Sequence, residues 1–128
     1  LYRYEGAWAD GLRHGSGIAT YADGTVYDGE FNAGQRDGEG TLTMPDGFTY
    51  SGEWEDGEIN GMGRATYANG DVYQGLFVNG MRQGSGTMTY AATDGEESRV
   101  VQGEWEDGRL VETTEETTEE GGEGTATE

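Results

Sequence analysis

The chain has 128 residues and a net charge of −19, with 26 acids against seven basic residues, every one an arginine. Leu, Ile, Val and Phe together number 16, which with that charge falls in the range of chains too poor in apolar surface to fold. Without a Cys there is neither a disulfide nor a thiolate metal site. No apolar run approaches the ~20 residues that cross a bilayer as a helix, and the acidic excess excludes nucleic acid and disfavours bare anionic lipid as partners.

Placement of the aromatic residues restores the case for order. The first unit opens at Tyr4, and alternation puts Tyr4, Gly6 and Trp8 on one face of a strand, with Glu5 and Ala7 on the other. Asp10-Gly11 breaks that strand, and a second runs from Gly15 to Tyr21, where Gly15, Gly17, Ala19 and Tyr21 share a face. Ala22-Asp23-Gly24 then forms a turn with a glycine able to take positive φ. The same pattern reopens at Tyr27, Tyr50 and Tyr73, a step of twenty-three positions. Trp8, Phe31, Trp54 and Phe77 form one column, and the pairs Gly15/Gly17, Gly38/Gly40, Gly61/Gly63 and Gly84/Gly86 form another. Asp56-Gly57, Asn79-Gly80 and Asp107-Gly108 repeat the first turn, and Pro45 sits in a turn where its missing N–H does no harm.

The fourth unit is followed by a longer connection, Ala91 to Val100, before Val101, Gly103 and Trp105 return in register. Glu112 and Thr114 stand where a fifth Gly-x-Gly pair belongs, so the second strand of that unit is expected to fail. The boundaries predicted are a repeat array over 1–111, with a partial fifth unit near 101, and a disordered acidic tail over 112–128. The first residue is Leu1, which marks the expected fragment or processed chain.

These elements predict an all-β fold: an elongated, single-layer, twisted antiparallel sheet of stacked β-hairpins. Rings laid flat across a neighbouring strand need positions without a Cβ, and in return cover bare backbone. Both glycines of each pair are assigned that task, and Trp8, Trp54 and Trp105 are expected on one side of the sheet.

With its columns aligned, the chain resembles the MORN (membrane occupation and recognition nexus) repeat family. The likeness rests on Tyr27-Asp28-Gly29-Glu30-Phe31, on Tyr50-Ser51-Gly52-Glu53-Trp54-Glu55-Asp56-Gly57, and on Gly61-Met62-Gly63 with Tyr67-Ala68-Asn69-Gly70. The resemblance implies stacked hairpins, frequent dimerisation, and roles in scaffolds, in cytoskeletal assemblies, as appendages to enzymes or at phospholipid membranes.

Of the chemistry-bearing residues, His14 shares its column with Asp37, Asn60 and Gln83 and reads as a solvated loop residue. The glycine pairs lie inside strands and no Lys accompanies them, unlike a phosphate-cradling loop. The turn from Glu55 to Asn60 lacks the acid ladder of a dedicated Ca²⁺ loop and is expected to attract cations only weakly. Arg13, Arg36 and Arg82 form a row, either a comb for an anionic partner or, as favoured, ions paired locally with Asp10 and Asp37. No catalytic constellation, cofactor site or metal site emerges. A single sheet leaves its aromatic face partly open, and Tyr50, Trp54, Tyr67, Tyr73 and Phe77 are the candidate partner-binding residues. The expectation is a non-enzymatic, soluble, cytoplasmic scaffold that binds a protein or dimerises. A peripheral membrane module and an accessory segment of a larger enzyme are the alternatives.

Overall fold

The computed structural model describes residues 2–92 and 97–119. Ten strands lie among them: β1 (Arg3–Ala9), β2 (Leu12–Thr20), β3 (Val26–Asn32), β4 (Gln35–Thr43), β5 (Thr49–Glu55), β6 (Glu58–Thr66), β7 (Val72–Val78), β8 (Met81–Tyr90), β9 (Ser98–Glu106) and β10 (Arg109–Glu119). They form one open antiparallel sheet in which each strand pairs with its neighbours in sequence. One hairpin per unit follows from this order, as the period predicts.

Each hairpin closes on two residues of positive φ. Asp10, Asp56, Asn79 and Asp107 take φ of 50–52° and the next glycines 77–87°, values that suit the right-handed twist of the flanking strands. Ala33-Gly34 makes the same turn in the second unit, with Ala33 at φ 50°. An alanine there works against its own Cβ, which is why this turn is not marked in the sequence.

The register slips once within each of the first four hairpins. Gly6 pairs with Gly17 but Trp8 pairs with Arg13, and the same slip recurs at Gly29/Phe31, Gly52/Trp54 and Gly75/Phe77. The extra residues on the longer strand form a bulge, which bends and twists the ribbon. Here the two glycines of each pair prove to have different tasks. The first, at Gly15, Gly38, Gly61 and Gly84, sits in the bulge with φ between 72° and 115°. Only the second, at Gly17, Gly40, Gly63 and Gly86, lies beneath a ring, and a Cβ added there would overlap Tyr4, Tyr27, Tyr50 or Tyr73 respectively.

The core is a ladder of rings on one face, which we call the inner face. Trp8, Tyr4, Phe31, Tyr27, Trp54, Tyr50, Phe77, Tyr73 and Trp105 follow one another in edge-to-face contact, with centroids 5.0–5.4 Å apart and planes at 80–89°. Such contacts add to the gain from burial alone. Each tyrosine hydroxyl of the ladder donates to the carbonyl three residues on, facing the bulge, at Ala7, Glu30, Glu53 and Leu76, over 2.7–3.2 Å. Trp54 and Trp105 each donate Nε1–H to a glycine carbonyl of the preceding hairpin, Gly40 at 3.0 Å and Gly86 at 3.3 Å. Trp8, in the first of the described hairpins, is 59% exposed.

The predicted end of order at Glu112 is corrected. β10 pairs with β9 as far as Glu119, through two register shifts. Three features hold it. Leu110 leans over Gly103, Thr114 donates its hydroxyl to the Gln102 carbonyl at 2.9 Å, and Arg99 meets Glu116 at 3.1 Å. Threonines favour strands without adding hydrophobicity, so composition marks as tail what pairing makes a strand. The rest of the predicted tail, 120–128, lies outside the described residues, as does Leu1.

Candidate functional site

On the inner face, beside the ladder, runs a second row made of Tyr21, Met44 and Tyr67, each the residue just after a returning strand, and Tyr90, the last residue of β8. They are half-buried and pack against the ladder. Phe48 joins them, its ring 5.6 Å from that of Tyr67.

Between the rows lie three guanidinium groups. Arg36 stands over Trp54 at 4.8 Å and over Tyr21 and Tyr27 at 5.8 Å. Arg82 repeats the arrangement over Trp105, Tyr67 and Tyr73, and Arg13 covers Phe31 and Tyr2. Each also donates to a turn carbonyl of the next hairpin. Arg13 reaches Gly34 at 2.9 Å, Arg36 reaches Gly57 at 3.0 Å, and Arg82 Nε reaches Gly108 at 3.1 Å. Neither the comb for a partner nor local pairing with Asp10 and Asp37 describes this row: the arginines lie on aromatic faces and fasten one hairpin to the next. A planar guanidinium does both at once, which an ammonium does not. Ile59 fills the place in the third unit.

The polar column of His14, Asp37, Asn60 and Gln83 has its own task. Each side chain accepts the backbone N–H of the positive-φ residue in the next turn: Ala33, Asp56, Asn79 and Asp107, at 3.0–3.2 Å. What unites these four residue types is an acceptor atom. In the acidic turn, Asn60 also donates to Glu55 at 2.6 Å. Among the described residues no group of three or more His, Asp or Glu is arranged to hold a metal.

Of the five candidate contact residues, Tyr50 and Tyr73 are fully buried and Trp54 and Phe77 no more than 5% exposed. The prediction of an open aromatic strip fails for these four. Edge-to-face stacking and the covering guanidiniums close the surface that a flat sheet would leave bare. Burial accordingly pushes the phenols of Tyr50 and Tyr73 up to about 12. It raises Tyr27 and Tyr67 as well, against the opposing charges of Arg36 and Arg82. Tyr67 alone of the five keeps an accessible edge, with its hydroxyl 3.4 Å from Arg82 Nη1. Together with Tyr21 and Met44, which sequence reasoning passed over, it lines what is left open on this face. One opening is a groove of about 460 Å³ walled by Tyr2, Arg13, Tyr21, Phe31 and Arg36, and beside it Tyr21, Arg36, Leu42 and Met44 line another of about 490 Å³.

Compared with known protein families, the chain matches the MORN repeat four times in succession, over residues 4–26, 27–49, 50–72 and 73–94. It belongs to the MORN family. Comparison with curated proteins finds no match. The MORN repeat is in general a non-catalytic repeat module, and in this MORN array the repeating residues are spent on rings, bulges and turns. Among the described residues, no helix is long and apolar enough to cross a membrane.

Proposed function

We propose that this MORN array is a non-enzymatic scaffold that binds a protein segment along its inner face. The observation that carries the reading is the half-exposed row of Tyr21, Met44, Phe48 and Tyr67 standing beside the guanidiniums of Arg13, Arg36 and Arg82. A row of half-open apolar edges suits a segment that presents a line of apolar side chains, laid along the groove. The row is too shallow to enclose a small molecule and too regular for a unique catalytic site. A phospholipid surface is the weaker alternative, because the inner-face arginines are already engaged with rings and carbonyls and the molecule as a whole is strongly anionic.

The test is affinity capture from the source cells with the intact chain and with a Tyr21→Ser, Tyr67→Ser double variant, alongside light scattering for mass. The expected outcome is a defined protein, or a second copy of the chain, retained by the wild type and lost by the variant while its melting temperature holds. Equal retention by both would refute an inner-face site. Sedimentation with anionic vesicles at low salt would favour the lipid alternative instead.

A further inference from the structure

The opposite, outer face of the sheet is largely acidic and polar; Leu12 and Ile18 are exposed apolar residues on it in the first unit, and a group of four lies together on β6–β8. In the second and third units the residue facing the bulge is Glu30 or Glu53, whose side chain folds over the bulge glycine Gly38 or Gly61. Glu53 also accepts a hydrogen bond from the Met62 backbone N–H at 3.1 Å. In the fourth unit the residue is Leu76, which covers Gly84 instead, its methyl 3.4 Å from where a Cβ would stand. Directly across β6 and β7, Leu76 pairs with Met62, where the second unit has Glu39. Val78 and Met81, a facing pair at the end of the same hairpin, replace Glu55 and Glu58 of the third unit. Met62 is 55% exposed, Met81 46% and Val78 39%.

Four apolar side chains, Met62, Leu76, Val78 and Met81, thus stand together where the second unit carries Glu39, Glu30, Asn32 and Gln35. The surroundings stay acidic. Glu53, Glu55 and Glu58 border the patch on the β5–β6 side, and Glu104 and Glu106 on the β9 side, with Arg64 as the one neighbouring cation on β6.

From this we infer that Met62, Leu76, Val78 and Met81 form a docking site for a basic amphipathic helix of a partner protein. A helix lying on a sheet face buries an apolar stripe of about two turns, which matches a patch spanning three strands. Lys or Arg flanking that stripe would meet the carboxylates on both sides. Methionine suits such a surface because its flexible, polarisable side chain adapts to the shape of its partner.

The site is tested with a synthetic amphipathic helix of about eighteen residues, roughly five turns, built from Leu and Lys, and with a scrambled peptide of equal composition. The chain variants are Met62→Glu and Leu76→Glu, singly and together. These restore carboxylates that the chain itself carries in the equivalent positions Glu39 and Glu53, so the fold is expected to hold, as checked by the melting temperature. The design separates two causes of binding, because each variant adds negative charge. If charge alone attracted the peptide, the variants would bind it more tightly. The proposal instead expects the double variant to bind about tenfold or more weakly, as for removal of central anchors. It also expects the amphipathic peptide to be preferred over the scrambled one, and peptide-induced backbone amide shifts to centre on β6–β8. Absence of binding, equal affinity for both peptides, tighter binding by the variants, or a concentration-dependent dimer that the variants dissolve would each overturn it.

Discussion

At the scale of single residues, the fold depends on atoms that are missing. Gly40 carries the Tyr27 ring where its side chain would be, and Gly29 faces the Gly40 backbone across the strand pair. Gly40→Ala is therefore expected to cost about 2–3 kcal/mol, the upper range for overpacking a site that cannot shift, read as a lower urea midpoint. A result below about 0.5 kcal/mol would mean that the ring yields easily. Ala33 presents the opposite case. Its φ of 50° imposes strain, whereas the other units place Asp or Asn in that turn. Ala33→Asn is expected to stabilise by about 1 kcal/mol, measured in the same titration. Both outcomes concern backbone geometry. The sequence shows the first directly, as a glycine column. It hides the second, because alanine gives no sign of the conformation it has been made to adopt.

At the scale of the hairpin, the question is what joins one unit to the next beyond the strand ladder. The arginine row does this in two ways at once, through ring contact and through a carbonyl in the following turn. Arg36→Ala removes a cation from Trp54, worth about 0.5–1 kcal/mol at a partly exposed site, and a hydrogen bond to Gly57 worth roughly 1 kcal/mol. A loss of about 1–2 kcal/mol is expected, with Arg36→Lys recovering less than half of it. Full recovery by lysine would show that charge alone matters. The hairpins themselves were legible from the sequence because period and turn chemistry are local: Tyr50 to Gly70 spells out two strands and two turns. The contacts between hairpins were less so. Arg36 acts on Trp54 and Gly57, about one repeat away, and a column of arginines looks the same whether it faces a partner or a ring. The same limit explains the candidate site. Sequence identified the aromatic face, but whether Trp54 lies open or closed depends on its contact with Tyr27 and on Arg36 above it, which no spacing rule conveys. Tyr67 keeps an accessible edge because it follows the end of β6, at the margin of the ladder.

For the whole molecule, the ring ladder acts as one continuous core, and its tyrosines share a chemical condition: each hydroxyl donates to a carbonyl facing the bulge and must keep its proton to do so. Burial holds the phenols of Tyr50 and Tyr73 at about 12, against about 10 for a tyrosine in the open chain. The sign follows from proton counting. Below about pH 10 both states carry the proton and stability is unaffected. Between about pH 10 and pH 12 the unfolded chain has released its protons while the folded sheet retains them, so each further step in pH favours unfolding. Tyr27, raised in the same direction, adds to the effect. The urea midpoint is therefore expected to be level up to about pH 10 and then to fall steeply. Phenolate absorbance should show Tyr27, Tyr50 and Tyr73 titrating together with unfolding. A stability that declines no faster than the added negative charge of the surface predicts, and that Tyr50→Phe leaves with the same pH dependence, would show that the buried phenols are not what couples the sheet to alkali. In that variant the ring contacts remain while the titrating group is gone, so a flatter alkaline limb, with some loss of stability at neutral pH from the missing bond to Glu53, is the outcome that the ladder requires.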